Sequence, residues 1–127
     1  MNDEIRKWEK HASRVVSDHR IFKIREDHTT NPRTGSEHEM VVLECPDWVN
    51  IIALTPEREV VFVEQYRQGS ETVELEIPGG MMDPGETDPV ATALRELREE
   101  TGYTGENARL IGACFANPAI MNNRVHT

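Results

Sequence analysis

The sequence predicts a mixed α/β (α+β) fold, and three observations carry that expectation. Short apolar, β-branched runs recur through the first 77 residues. A segment over residues 89–101 has helical spacing and is punctuated at both ends. A further apolar run at residues 110–115 follows it. Strands on both sides of one helix fit a layered domain with helix packed on sheet. At 127 residues the chain is long enough for one core.

In chain order, residues 2–11 are short and charged, with Ile5 and Trp8 three apart, and read as one or two helical turns or a frayed end. Residues 14–25 place Val15, Val16, Ile21, Phe22 and Ile24 around a polar break at 17–19, which predicts two short strands. Pro32 and Gly35 mark a turn. Residues 40–43 and 49–54 are apolar, the second run long enough for a strand buried on both faces. After a turn at 56–58, residues 60–63 give its hairpin partner. Residues 65–70 are polar. Residues 72–77 alternate, with Val73, Leu75 and Ile77 on the expected buried face and Glu74 and Glu76 on the other. Residues 78–88 hold three glycines and two prolines and read as a loop. The helix follows, with Asp88 as N-cap, Pro89 at the first helical position and Gly102 at the C-terminal stop. Residues 110–115 read as a strand, 117–123 as a loop, and 124–127 as the start of another strand.

Composition narrows the function. Lys and Arg total 14 against 23 Asp and Glu, a net charge of −9. So acidic a chain is a poor binder of nucleic acid, whose phosphates are held by clustered cations. A phosphorylated substrate would need recruited positive charge, and carboxylates holding divalent cations are one way to supply it. Cys45 and Cys114 lack metal-ligand spacing and read as reduced thiols. The charged N-terminus reads as no signal peptide, and no apolar run reaches membrane-span length, so the expectation is a soluble, cytoplasmic protein without membrane association. His11, His19, His28, His38 and His126 show no paired spacing and read as polar surface.

The chemistry concentrates in residues 95–103, Arg-Glu-Leu-Arg-Glu-Glu-Thr-Gly-Tyr. At about 100° per residue, Glu96, Glu99 and Glu100 share one helix face. Val90, Leu94, Leu97 and Thr101 lie roughly opposite and suit a sheet. Three neighbouring carboxylates repel one another, which costs helix stability, and a hard divalent cation bound with substrate phosphates would offset the repulsion. The plainer reading is a solvated acidic face with Arg95 and Arg98 as local partners. The loop before the helix, with Gly79, Gly80 and Glu86, tips the balance, because glycines allow close backbone approach to a ligand.

Gly80, then five residues, Glu86, and the run 95–103 resemble the signature of the Nudix hydrolase family, G-x5-E-x7-R-E-U-x-E-E-x-G-U with U a bulky aliphatic residue. Leu97 fills the first U. Tyr103, an aromatic residue, stands at the second, and eight residues rather than seven separate Glu86 from Arg95. The extra residue bears on the placement of Glu86 and leaves the spacing within the helix intact. The resemblance implies an α/β/α sandwich with mixed and antiparallel sheets. Its N-terminal strands would occupy residues 1–47 and its core 48–127, incomplete before a last strand and second helix. It implies Glu96, Glu99 and Glu100 as the metal face, with Glu96 and Glu100 the direct ligands beside the Gly80 carbonyl. Arg95 would orient a glutamate through a charge-assisted hydrogen bond. The metal implied is Mg²⁺, with Mn²⁺ as a substitute.

Residues 61–69 and 73–80 are similar to the ADP-ribose and nucleotide-sugar branch of that family, as is the position of Pro118, fifteen residues after Tyr103. The branch implies Arg67 facing the diphosphate or sugar, Glu76 beside the metal, and a homodimer built by the N-terminal strands. Arg67 also reads as a surface arginine. Trp48 and Phe22 can stack on a base or pack in a core. The expected reaction is metal-dependent hydrolysis of a nucleoside diphosphate sugar or ADP-ribose. Glu99, Glu100, Arg95 and Glu86 are the catalytic candidates. The loop that carries a general base in this branch lies beyond residue 127, leaving Glu76 and Glu86 as the local candidates. A metal-nucleotide binding module without turnover and a house-cleaning pyrophosphatase of nucleoside triphosphates are the alternatives.

Overall fold

The computed structural model describes residues 4–127. The chain divides into two compact units. One comprises the described residues through Cys45 together with Ala116–Asn123, and the other comprises Pro46–Phe115 and Arg124–Thr127.

The first unit is an antiparallel meander of β1 (Glu9–Asp18), β2 (Lys23–Thr30) and β3 (Glu37–Glu44), in that order. β2 and β3 pair without interruption from Lys23↔Glu44 to Thr30↔Glu37. β1 carries irregularities at Lys10/Ala12 and Val15/Ser17. Its strands are longer than the two short ones expected. β1 takes in residues 9–11, where helical turns were an alternative, and continues through Ser17 and Asp18; the chain reverses only at 19–22. Residues 2 and 3 of that expected segment lie outside the described residues. In the reversal Arg20 has φ +67°, its N–H donates to Asp18 Oδ1, and the His19 ring stacks on Phe22 with centroids 5.0 Å apart. The covered face of the middle strand is polar. Asp27 and Thr29 are buried, and Arg25 bonds Asp27 on its own strand and Glu44 on β3. Ser13 on β1 also donates to Asp27. A buried carboxylate needs such partners to offset lost hydration. Leu43 joins the 116–123 segment through its N–H to the Ile120 carbonyl at 2.7 Å.

The second unit holds a mixed four-stranded sheet, the β5–β6 hairpin, and the one α-helix among the described residues. The sheet order is β7 (Gly79–Met81), β4 (Trp48–Asn50), β9 (Arg124–His126), β8 (Ala113–Phe115). β4 is antiparallel to β7 and parallel to β9, and β9 is antiparallel to β8. Asp47 fastens β9 beside β4. Its Oδ1 accepts the Arg124 N–H at 2.8 Å and its Oδ2 lies 2.9 Å from His126 Nε2. His126 is thus largely covered, with its side chain 17% exposed, and is not the polar surface residue the sequence suggested.

The helix α1 (Pro89–Thr101) forms as its punctuation requires. Asp88 Oδ1 accepts the Val90 N–H at 2.9 Å, and Gly102, at φ +77°, closes on the Arg98 carbonyl. Its buried face packs on β4 and β7 through Thr92, Ala93 and Leu97. Leu97 and Val49 are almost fully buried, each contributing about 1.5–3 kcal/mol by removal from water.

Several expected elements are shorter or inverted. The doubly buried strand over 49–54 is only β4, because the chain leaves the sheet after Asn50; Ile52 and Leu54 are half exposed. Its hairpin with 60–63 reduces to one bridge, Leu54↔Val60. The strand proper, β5 (Val63–Arg67), starts where that run ends and extends into the segment expected as merely polar. The loop expected at 78–88 begins as strand β7, since Gly79 and Gly80 pair with Asn50 and Val49. The run 110–115 is extended only from Ala113. In β6 (Thr72–Glu76) the expected faces are exchanged: Val73 and Leu75 are each 65% exposed, and Glu74 and Glu76 take the partly covered side. An open groove of about 800 Å³ is lined by Ala93, Leu94 and Leu97 of α1 together with Ile52, Leu110 and Ile111.

Candidate functional site

The carboxylate face of α1 lies in the second unit against β7 and β5. Gly80 touches it most closely: a Cβ there would sit 2.5 Å from the Glu96 carboxylate carbon. The space beside the Gly80 main chain is therefore filled by Glu96 itself, whose side chain is 14% exposed. Burial pushes the Glu96 carboxyl up from its ordinary range, and the charges of Glu99 and Glu100 add to this against the pull of Arg95.

Arg95 gathers four carboxylates, the farthest being Asp83, whose Oδ2 lies 3.9 Å from Nη2. Its Nε and Nη2 donate to the two oxygens of Glu86 at 3.0 and 3.1 Å. Its Nη1 lies 2.9 Å from Glu96 Oε1 and 2.9 Å from Glu99 Oε2. Glu86 also accepts the Asp83 N–H at 2.7 Å, closing the turn of the glycine loop. The Arg95 hydrogen bonds, with that N–H, hold the Glu86 carboxyl down at about 2, and Glu86 in turn raises Arg95. The extra residue between Glu86 and Arg95 has thus not separated them. Glu99, 58% exposed, is the outermost of the three box glutamates.

Glu100 is held differently. Its Oε1 accepts the Gln65 side-chain amide at 2.6 Å, and its Oε2 accepts the Gly79 N–H at 3.1 Å. Next to it on β5, Arg67 makes a two-point contact with Glu76 of β6, Nε to Oε1 at 2.7 Å and Nη2 to Oε2 at 2.6 Å. That pairing raises Arg67 and lowers Glu76, and the Glu100 charge adds to the effect on Arg67. Trp48 stands in β4 opposite Met81 and Val125, 41% exposed. Phe22 belongs to the β1–β2 reversal of the first unit.

Among the described residues no three acidic, histidine or cysteine groups already converge as a metal cage. The donor set nevertheless fits a divalent cation. Glu96 and Glu100 supply anionic oxygens on one helix face, and the missing Cβ of Gly80 lets main chain and carboxylate meet. Sequence reading passed over Gln65. Strand alternation was the available signal, since Gln65 lies two residues from Arg67 and so on the same face of β5.

A strand, a glycine turn and a capped carboxylate helix in this arrangement define a Nudix domain. Residues 46–126 match the NUDIX domain family, and the chain belongs to it. It is 37% identical over 107 residues to the methanol dehydrogenase activator of Bacillus methanolicus, covering 84% of this chain and 57% of that protein. It is 37% identical over 92 residues to the ADP-ribose pyrophosphatase of Bacillus subtilis (strain 168), covering 72% and 49%. It is 43% identical over 67 residues to the ADP-sugar pyrophosphatase of Mus musculus, covering 53% and 30%. The chain spans about half the length of the first two of these curated relatives. In fold it is similar to the crystal structure of an ADP compounds hydrolase, with a TM-score of 0.83 at 20% identity over 98% of this chain and 67% of that one. The expected mixed α/β architecture is thus the one found. No helix among the described residues is long and apolar enough to cross a membrane.

Proposed function

We propose that the chain supplies the metal and diphosphate site of a divalent-metal-dependent pyrophosphohydrolase acting on ADP-ribose or a nucleoside diphosphate sugar. The observation that carries this reading is the placement of Glu96 and Glu100 on one face of α1, directly against Gly80 and Gly79, with Arg67 on the adjoining strand. The named activities of the Bacillus subtilis and mouse relatives point the same way. Mg²⁺ is the proposed metal, with Mn²⁺ as a substitute, held by Glu96, Glu100 and the Gly80 carbonyl with Glu99 at the rim.

When bound, such a metal neutralises the diphosphate and acidifies a water molecule. The chain's own groups do the rest. Glu86 holds Arg95, and Arg95 orients Glu96 and Glu99. Arg67, positioned by Glu76, offers a planar fork to phosphate oxygens. Addition of water across one P–O–P link gives a nucleoside monophosphate and a sugar phosphate. In this reading Trp48 offers a stacking face for a base, residues 1–47, which include Phe22, form the base-binding and dimerisation extension of a homodimer, residues 48–127 form the catalytic core, and the protein acts in the cytoplasm without nucleic-acid or membrane partners.

The test is release of AMP or another nucleoside monophosphate from ADP-ribose and a set of nucleotide sugars, with and without Mg²⁺. Metal-dependent product that falls about 100-fold in Glu100→Gln is expected. No product above background in any combination rejects turnover by this chain.

One observation favours a second reading, a metal-nucleotide binding module. Glu76 and Glu86, the local candidates for a general base, are each bonded through both oxygens to an arginine, and both are lowered. A carboxylate held at about 2 is a weak proton acceptor near neutrality. Mg²⁺-dependent heat of ADP-ribose binding without product distinguishes this reading from hydrolysis.

A further inference from the structure

We infer that Gln65 is a positioning residue for Glu100, and that its side-chain amide sets the metal affinity of the site; the inference rests on the metal-site reading above. Three features separate Glu100 from its neighbours. Each of its oxygens has its own donor, Gln65 Nε2 at 2.6 Å and the Gly79 N–H at 3.1 Å. Those donors come from two different strands, β5 and β7. Neither donor is charged, whereas Glu96 and Glu99 both meet the Arg95 guanidinium.

A neutral donor fixes a carboxylate in place without adding a positive charge of its own. A guanidinium fixes it too, and also competes for the carboxylate's negative charge with any incoming cation. Glu100 is therefore the box glutamate whose orientation is set in advance without a guanidinium bonded to it; Arg67, near enough to feel its charge, is bonded to Glu76 instead. Groups that orient a metal-binding carboxylate from behind commonly govern its affinity. The Gly79 half of this clamp is main chain, held by the Asn50↔Gly79 pairing of β4 and β7. Side-chain substitution cannot remove it. The Gln65 half is a single amide, and Gln65 stands on the partly covered face of β5, between Val63 and Arg67.

The experiment is Mn²⁺ titration of the chain without nucleotide, reading free Mn²⁺ by paramagnetic resonance, together with thermal unfolding of each variant. Gln65→Met keeps the length and loses the donor. It should weaken Mn²⁺ binding about 10-fold while the melting temperature moves by no more than about 2 °C. Gln65→Asn, too short to span the gap, should weaken it similarly. Glu100→Gln should abolish binding. Unchanged affinity in Gln65→Met, with binding lost in Glu100→Gln, overturns the role of Gln65 and leaves the metal site standing. No binding by the unsubstituted chain overturns both. A second measurement needs no variant. Saturating Mg²⁺ should shift the Gln65 side-chain amide resonances together with the Gly79 backbone amide, and a Gly79 shift with Gln65 unmoved overturns the inference.

Discussion

Along the acidic face of α1, Glu96 and Glu99 turn toward Arg95, whereas Glu100, one residue beyond Glu99, turns toward Gln65 and Gly79. The two corners share a helix, a charge and a side-chain type, and differ in what holds them. The Arg95 corner is ionic and locally built: Glu86, Glu96 and Glu99 lie within nine residues of Arg95 in sequence. The Glu100 corner is neutral and assembled at long range, with Gln65 coming from 35 residues away. The ionic corner needs α1 and the loop that precedes it, which carries Glu86. The neutral one exists only when β5, β7 and α1 are packed together.

The adjoining glycines separate these corners most sharply. A Cβ on Gly79 meets the Val49 carbonyl oxygen and stands 2.9 Å from Asn50 Cα, all backbone of the neighbouring strand. Backbone cannot step aside, so Gly79→Ala should force β7 from β4 and destabilise the fold by about 3 kcal/mol, read by chemical denaturation. The nearest atoms a Cβ on Gly80 would meet are the carboxylate end of the Glu96 side chain. Glu96 can swing away, so Gly80→Ala should lose no more than about 1 kcal/mol of stability and instead weaken Mn²⁺ binding about 10-fold. Equal stability losses at the two positions would show that the corners are not mechanically distinct.

The ionic corner has its own signature in pH. Glu86 titrates at about 2 in the folded chain, below its ordinary 4.5, because Arg95 and the Asp83 N–H favour its charged form. A lowered acid stabilises the fold fully above its unfolded value, and that contribution disappears as pH falls from about 4.5 through about 2. Glu86→Gln should remove this part of the acid dependence, flattening stability against pH in that window, with the rest of the curve retained. A variant curve of unchanged slope between those values would mean that Glu86 does not bear the linkage.

How much of this was legible beforehand follows from the range of each interaction. The helix was readable because Asp88, Pro89 and Gly102 act within a turn of themselves, and the grouping of Glu96, Glu99 and Glu100 because helical periodicity is local. The family signature carried the site as far as Arg95 and Glu86. The sequence of β6 specified two faces and not which one is covered. Apolar content pointed to Val73 and Leu75, yet the Arg67–Glu76 pair takes the covered side. β4 fell short because an apolar run says nothing about where its neighbours stop. The Arg25–Glu44 link around buried Asp27 in the meander, and the Gln65 amide on Glu100, join residues 19 and 35 apart; alternation along a strand sets the face of Arg25 or Gln65 but not the partner that face meets.

The smallest expected effect tests whether the two corners ride on one rigid helix. Asp88 caps α1 through the Val90 N–H and lies outside both corners. Asp88→Ala should cost about 1 kcal/mol of stability, the usual loss for an N-cap. Fraying would begin at Val90, five residues before Arg95, and ten before Glu100. If the helix moves as a unit, Mn²⁺ affinity changes little. If the first turn is loosened on its own, the Arg95 corner should suffer first, so that the Glu86 acid dependence weakens while the Gln65 side-chain resonances stay where they were. A shift of those resonances without any change in acid dependence would instead place the rigid part of α1 at its N-terminal end, and would reverse the order of the two corners.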